Sequence, residues 1–574
     1  MIVSWLSLLA LLHLSADAPP SSQPVAPTAA PSPPGDADDD LDELPHPRPR
    51  TSYRPLPPPV KTEIEVREEA EPPQETTTGA LWEPPKPPPK AKPASEPSSQ
   101  PSSDEAPKIV EAPPDKMRKG ELSMLGLAEI LNDSNFLGVG IGYFNLDSVH
   151  YISLTPEVDL NFFDKKLKMN FGAPLNITLF DPNGGGFAVP PGRRIRVQDW
   201  DDWRDYFKII RRVQWGRKED RIFARIGRVG ASSIGHGGLM RRYNNNMLAN
   251  QTRVGLEVNL NSDYVGGEAF LSDVTLQSKV LAGLLFVKPL GWMQNYAAKS
   301  LSLGFVYAAD LGVPLALQRD EEGVVRTVNN FGNDPLFDQG QLHALGASVE
   351  VKPVRIGDTV DIKTYFEFNQ ILQHGRGFTF GTLGRFNVGP IALRARAEMR
   401  VLGNDYIPSY FDNFYEIQKL QFVTFNPSTF APTKLDFMGS ISYPGNYTPN
   451  GYFEVTFSWI DKLAVSAAYE VGGNRYLQSF LLHAEFTAFS WLRIFATYHK
   501  RNFSNFATLF NFAQSDLLFA QVRLAILPFL IINARATKTF VWDPSVDLGL
   551  GGLRNIFDFS VGVELGWQWE WSKD

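Results

Sequence analysis

Arginine side chains occupy alternate positions in several segments where apolar and polar residues also alternate. In residues 391–401, Arg394, Arg396 and Arg400 share one face with Glu398, and the other face is apolar. A guanidinium group stays charged at physiological pH and binds carboxylate or phosphate through paired donors. Corresponding faces of other segments carry Arg385, Arg493, Arg501, Arg523 and Arg535. If one sheet gathers these faces, it forms a surface that attracts anions.

Carboxylates on the same faces allow a second interpretation. Glu367, Glu398, Glu564 and Glu570 occupy equivalent positions in the alternating segments. Paired with the arginines, they would form an ion-pair network that stiffens the sheet and leaves little net charge. The sequence leaves both interpretations open.

No catalytic or metal-binding pattern emerges from the other residue types. The chain has no cysteine, and its eight histidines lack the spacing that places two metal ligands on one helical face. The run Gly235-His236-Gly237-Gly238 has no Gly-x-Ser-x-Gly nucleophile motif to accompany it, so a glycine-rich turn is favoured. We therefore expect no enzyme, no metal site and no cofactor.

The elements that carry the arginines are strands. Residues 557–571 alternate without a break between apolar and polar types, which is the period of a strand. Their apolar face ends in Trp567, Trp569 and Trp571, as in strands whose outer face meets lipid and whose aromatic rings lie at the headgroup level. Similar segments recur at residues 167–179, 391–401, 453–459, 463–471, 492–498, 518–526 and 530–536.

Links between these segments alternate in length. Very short links occur at residues 461–462, 490–491 and 528–529, and long ones at about 312–342, 405–450, 502–515 and 543–556. Short turns at one rim and long loops at the other are typical of transmembrane barrels. No uncharged apolar run of roughly 20 residues occurs outside the N-terminus, which excludes a helical membrane protein.

With this pattern, residues 136–574 resemble porin-like bacterial outer-membrane β-barrel proteins as a class. The resemblance implies an all-β fold, a closed antiparallel transmembrane β-barrel in the cell outer membrane, surrounded by outer-membrane lipid. It also implies that the barrel-assembly machinery recognises the C-terminal strand. The implied function is a channel for passive diffusion of small hydrophilic solutes, here with an arginine-rich lumen biased towards anions. Nucleic acid has no role in that compartment.

The strand number follows from the alternation of short and long links, because both chain ends should lie at the periplasmic rim. Counting back from the C-terminus gives about 18 strands, within a range of 16 to 20. If residues 136–144, with Gly138, Gly140 and Gly142, also form a barrel strand, another crossing is needed between residues 182 and 220, and the total becomes 20. We favour 18.

A strongly basic stretch contains the one predicted helix. Residues 193–253 hold 15 Lys and Arg against six Asp and Glu, in a chain with a formal charge of −8. Trp200, Trp203, Phe207 and Ile210 follow helical spacing, which predicts an amphipathic helix at about 199–215 with Asp199 as its cap. The helix either packs against the barrel wall or forms a constriction that presents Arg204, Lys208, Arg211 and Arg212 to the lumen.

The N-terminal part differs in composition from the barrel. Residues 1–18 have the short apolar run and Ala-x-Ala ending of a secretory signal peptide. Residues 19–118 hold 27 of the 44 prolines and almost no apolar cluster, which predicts a disordered Pro-rich periplasmic segment. A short helical or connecting segment at 119–135 then leads to the barrel. The alternative function is a structural outer-membrane anchor whose Pro-rich arm contacts peptidoglycan, a periplasmic protein or an envelope-spanning machine.

Overall fold

The computed structural model describes residues 135–569 with short gaps. The gaps are at residues 147–148, 164–165, 183–185, 188–193, 197–198, 201, 219, 247–252, 277, 319–335, 358, 421–432, 460–461, 473–476, 490, 502, 504–507, 511–515, 528 and 544–551. The predicted signal peptide, the Pro-rich segment and nearly all of the connecting segment lie outside the described residues.

Strands make up most of the described chain. The first eleven are β1 (Asn135–Leu146), β2 (Val149–Phe162), β3 (Leu167–Gly172), β4 (Leu175–Phe180), β5 (Ile210–Trp215), β6 (Ile222–Gly227), β7 (Gly255–Asn261), β8 (Val265–Leu271), β9 (Val280–Val287), β10 (Ser302–Leu317) and β11 (Phe337–Ile356). The others are β12 (Val360–Ile371), β13 (Arg376–Val388), β14 (Ile391–Gly403), β15 (Tyr447–Trp459), β16 (Leu463–Gly472), β17 (Ser479–Phe489), β18 (Leu492–Arg501), β19 (Leu517–Leu527), β20 (Leu530–Asp543) and β21 (Gly552–Trp569).

The strands form one closed antiparallel barrel. Apart from β4, which pairs with β2, and β3, which pairs with β2 and β5, the strands pair with their neighbours in sequence order. Strand β1 also pairs with β21, from Asn135 opposite Trp569 to Phe144 opposite Ser560. Closure joins the first and last strands of the sheet, which satisfies their backbone groups within lipid. The fold is therefore all-β, as predicted, and the class-level resemblance to porin-like outer-membrane barrels is confirmed at the level of the fold.

Twenty strands cross the barrel wall in the described part of the chain, so the favoured count of 18 was too low. Strands β3 and β4 are two parts of one crossing, because both pair with β2 in the same register on either side of Ala173 and Pro174. The two extra crossings are β1 and β5. Gly138, Gly140 and Gly142 of β1 lie on its lumen face, between the outward-facing Leu137, Val139 and Ile141.

The predicted helix at 199–215 is wrong over its second half. A 3-10 helix spans Trp203–Ile209, capped by Asp202 and not by Asp199, and residues 210–215 form β5. Strand β5 pairs with both β3 and β6, so the gain of two backbone ladders outweighs the helical spacing of the aromatic residues. Gly216, with φ of 69°, begins the β5–β6 turn instead of ending a helix.

Exposed aromatic residues surround one rim of the barrel. They lie at or near the short turns and the end of β21: Phe163, Trp215, Tyr264, Trp292, Trp459, Trp491, Phe529 and Trp567. Alternate residues of β1, including Leu137, Val139 and Ile141, are exposed on the outer face, and the glycines between them face the lumen. An apolar band bordered by an aromatic girdle is the surface expected in a bilayer. No described helix is long and apolar enough to cross a membrane.

Two long links fold into the barrel from the opposite rim. The first, the inner hairpin, covers residues 229–245 between β6 and β7, where Ser232 pairs with Tyr243. The second, the inner loop, covers residues 404–446 between β14 and β15 and contains the helices Tyr415–Gln418 and Lys434–Gly439 and the 3-10 turn Pro444–Asn446. A parallel bridge joins Met240 to Phe411, and both links belong to one buried apolar cluster. Another short helix, Tyr296–Ser300, lies in the link from β9 to β10.

Candidate functional site

The inner hairpin and inner loop fill the part of the lumen bordered by β7–β18, which we call the closed half. The glycine-rich tip of the hairpin reaches the wall, where the Gly235 N–H donates to Glu268 at 3.0 Å. The His236 ring stacks on Tyr365 at 4.0 Å. Gly235 and Gly237 both have positive φ, which confirms the predicted turn in this run and explains its glycines.

Buried ion pairs attach the hairpin to the wall. Glu398 accepts from Arg241 of the hairpin at 2.6 Å and from Arg400 of its own strand at 2.5 Å. Glu454 on β15 binds Arg242 of the hairpin at 2.5 Å. Every one of these side chains is largely withdrawn from water, so each charge depends on its partner. The ion pairs hold the hairpin in place against several strands.

Similar contacts hold the inner loop. Asp412 accepts from Lys434 and from Arg501 of β18, both at 2.9 Å. Although burial favours the neutral acid, these two cations lower the pKa of Asp412. Burial lowers the pKa of Lys434 from 10.5 to about 8. Phe414 stacks on His499 at 4.0 Å, and Tyr415 donates to Asp310 at 2.7 Å.

A polar cavity of about 400 Å³ occupies the other part of the lumen, beside β19–β21, β1, β2 and β4. Its floor on β1 and β21 consists of small residues, among them Gly140, Gly142, Ser560 and Gly562. A Cβ added at Gly140 would meet nothing closer than 3.7 Å. Here glycine leaves space, and the cavity exists because the lumen-facing positions Gly140, Gly142, Ser560 and Gly562 have small side chains or none.

Charged side chains line the polar cavity on its remaining sides. The lining cations are Arg196, Lys208, Arg211, Arg228, Arg523 and Arg535, and the lining acids are Glu157, Asp199, Asp558 and Glu564. Close pairs join Arg196 to Asp199 at 2.5 Å, Arg211 to Glu157 at 3.0 Å, and Arg523 to Glu564 at 3.2 Å. Asp205 lies behind the lining and binds Lys208 at 2.5 Å. Six cations thus face five carboxylates, a small positive excess.

The structure separates the arginines that the sequence grouped together. Arg523 and Arg535 line the polar cavity. Arg394, Arg396, Arg400 and Arg501 lie in the closed half beside Glu454, Glu398, Glu470 and Asp412. Arg385 is partly buried on β13, and Arg493, also partly buried, faces Arg523 across the β18–β19 pair. The assignment of all eight to one anion path stays a prediction.

The four cations predicted to form a constriction also have different positions. Lys208 and Arg211 line the polar cavity. Arg204 lies 3.8 Å from Asp202, and Arg212 donates to Gln214 at 2.6 Å. The sequence pattern does not single out Arg196, Arg228, Arg241 and Arg242 as contact residues. The high positive charge of residues 193–253 was the available signal for them.

Comparison with protein-family models and with curated proteins finds no match. Among solved structures, OccK11 (OpdR) of Pseudomonas aeruginosa is similar at 10% identity and a TM-score of 0.30, over 76% of this chain and 97% of that one. A BenF-like porin from Pseudomonas fluorescens Pf-5 matches at 9% identity and a TM-score of 0.28, over 76% and 100%.

The ferric-catecholate import receptor Fiu from E. coli K12 matches at 8% identity and a TM-score of 0.32, over 76% of this chain and 82% of that one. At such low scores, nothing about solutes follows from these likenesses. The closed barrel is established by the strand pairing of the chain itself.

Proposed function

We propose that the protein is an outer-membrane channel through which small hydrophilic solutes diffuse passively along the polar cavity. The observation that carries the proposal is the cavity of about 400 Å³ with a floor of small residues and walls of charged and amide side chains. From Asp558 to Glu564 its lining spans seven residues of β21, or roughly 20 Å along the strand. That length is a large part of a hydrocarbon core of about 30 Å.

The proposed bias towards anions is modest. It is supported by six cations and four carboxylates on the lining, with Asp205 as a fifth acid behind it. Ion pairs neutralise much of this charge, so the remaining field is set by a small excess of arginine and lysine. Such a field raises the local concentration of anions within about 8 to 10 Å at physiological salt.

Conductance measurements in planar bilayers test the channel directly. Gly140→Trp should reduce the single-channel conductance, because Gly140 borders the cavity and has room for a side chain. The control is Ile141→Trp on the neighbouring residue, whose side chain is 49% exposed on the outer face. The control should conduct as the unmodified protein does. An unmodified protein without conductance would refute the channel.

A structural anchor is the second candidate function, and the closed half favours it. Two long links, a buried apolar cluster and several ion pairs fill the lumen beside β7–β18, as in a barrel that need not conduct. In this role residues 19–118 would contact peptidoglycan or a periplasmic protein. The same bilayer measurement separates the candidates, because an anchor predicts no current. In either role, β21 is the proposed signal for the barrel-assembly machinery.

A further inference from the structure

Asp199, which the sequence predicts as the cap of a helix, has a different position in the fold. The 3-10 helix that follows is capped by Asp202, whose side chain accepts from the Arg204 N–H. Asp199 lies instead on the lining of the polar cavity. Helix capping therefore does not explain why position 199 carries a carboxylate.

A short strap beside β4 carries this carboxylate. The strap consists of residues 194–196 and 199–200. An antiparallel bridge joins Ile195 of the strap to Ile177 of β4. Further along, the Trp200 indole N–H donates to the Pro174 carbonyl at 3.2 Å. These contacts hold the strap on the barrel wall, so the charged side chains that it carries have defined positions.

The carboxylate of the strap holds an arginine of the same strap in place. Asp199 accepts from Arg196 Nη1 at 2.5 Å and from the Asn176 amide at 2.8 Å. The Arg196 guanidinium also lies over the Tyr151 ring, 5.9 Å from its centroid. In the described part of the chain, neither Arg196 nor Asp199 forms an ion pair with a third residue. Each of the two charges is therefore balanced by the other.

This ion pair lies on the proposed solute path. Arg196 and Asp199 both line the polar cavity, and each side chain is 13% exposed. A sphere with the cavity volume of about 400 Å³ has a radius of about 5 Å, which is less than the Debye length of about 8 to 10 Å at physiological salt. A charge on the lining therefore acts on an ion anywhere in the cavity. While the pair is intact, its two charges largely cancel.

We propose that Asp199 determines the charge selectivity of the polar cavity, because it holds Arg196 against the wall and cancels its charge. The inference rests on the proposed channel function and identifies the residue that limits the preference for anions. It depends on the change in charge at one position, whatever the other charges of the lining sum to. With Asp199 ionised, small cations enter the cavity beside anions. Without it, the charge of Arg196 attracts anions and repels cations.

Asp199→Asn tests the proposal, because it removes the charge with almost no change in shape and leaves an amide oxygen that can accept from Asn176. Reversal potentials of the full chain are measured in planar bilayers under a potassium chloride gradient. For a unit charge about 5 Å from the ion, the permeability ratio of chloride to potassium should rise roughly fivefold near 0.1 M salt, and less than about twofold near 1 M. An unchanged ratio would overturn the proposal.

Arg196→Gln makes the opposite change and keeps the test valid should the first variant fail to fold. It exposes the charge of Asp199, so the permeability ratio should fall, and a ratio that does not fall contradicts the proposal. In the double variant Arg196→Gln with Asp199→Asn, both charges are absent and the ratio should return close to that of the unmodified protein. If Asp199 only kept the strap in place, the double variant would depart from the unmodified protein at least as far as Asp199→Asn does.

Two further variants serve as controls. Asp263→Asn removes the same charge from an exposed position in the turn between β7 and β8, outside the cavity lining, and should leave the ratio unchanged. Asp199→Glu keeps the charge and should keep the selectivity of the unmodified protein. A shift in Asp263→Asn as large as that in Asp199→Asn would overturn the role of Asp199 alone. Absence of current in the unmodified protein would refute the channel as well.

Discussion

Both parts of the lumen contain carboxylates paired with arginines, but the two parts differ in how deeply these pairs are buried. In the closed half, Glu398 is fully buried and shared among arginines from the hairpin and its own strand. Beside the polar cavity, Glu564 keeps 21% of its side chain exposed while it binds Arg523. The difference follows from what covers them: two long links in one case, and glycine-faced strands in the other. Whether an arginine in the barrel lumen stabilises the wall or contacts solutes therefore depends on whether a long link covers it.

The largest effect on stability is expected from removing the carboxylate that buried arginines share in the closed half. Glu398→Ala leaves Arg241, Arg396 and Arg400 buried without their shared partner, which should reduce the free energy of unfolding by about 3 to 5 kcal/mol. Urea titration of the barrel in detergent measures this. Glu564→Ala is the matched change beside the polar cavity and should cost less than half as much, because the Glu564 side chain is 21% exposed to water. Equal losses in the free energy of unfolding would show that the two ion-pair sites are equally inaccessible to water.

The next largest effect on stability is expected from an arginine introduced on the lipid-facing side of β1, compared with an arginine on the side that faces the polar cavity. Ile141→Arg places a charge in lipid and should cost roughly 2 to 4 kcal/mol if the position lies near the bilayer midplane. Gly140→Arg, one residue away, enters the cavity close to Glu564 and should cost clearly less. Unfolding titrations in lipid vesicles measure both changes. Similar costs would contradict the assignment of faces on β1.

The pH dependence of stability probes the buried lysine of the inner loop. Burial lowers the pKa of Lys434 to about 8, against 10.5 for an exposed lysine. Between these pH values the unfolded chain binds more protons than the folded one, so the free energy of unfolding should rise with pH, by roughly 1 to 3 kcal/mol. Lys434→Met should remove the contribution of this lysine and make the rise smaller than in the unmodified protein. A rise of unchanged size in that variant would assign it to other groups.

The smallest effect is expected on ion selectivity. Here substitutions of arginines that line the polar cavity are compared with substitutions of arginines in the closed half. Removing two lining charges together, by Arg523→Gln with Arg535→Gln, should shift the reversal potential in a salt gradient towards cations. The shift should shrink in concentrated salt because the field is screened. The pair Arg394→Gln with Arg396→Gln, in the closed half, should leave selectivity unchanged. Equal shifts would mean that solutes pass through both parts of the lumen.

Much of the barrel could be predicted from local pattern. Alternation with period two defines strands, and the difference between short and long links identifies the two rims, because both properties belong to neighbouring residues. The strand count failed at β1 and β5 for a related reason. Residues 136–144 add a strand only if another crossing lies between residues 182 and 220, and the helical spacing of Trp203 and Phe207 conceals that crossing, which begins at Ile210.

Sequence by itself determined the fold class, the lipid-facing residues and the concentration of positive charge between residues 193 and 253. Only the tertiary structure decided which arginines face a cavity and which are paired with carboxylates. Arg241 and Glu398 are 157 positions apart in the chain, and no local pattern specifies their contact. Their pairing depends on how a long link folds back into the barrel. That path is chosen by the packing of the whole interior, because burial and charge pairing are summed over residues distant in sequence.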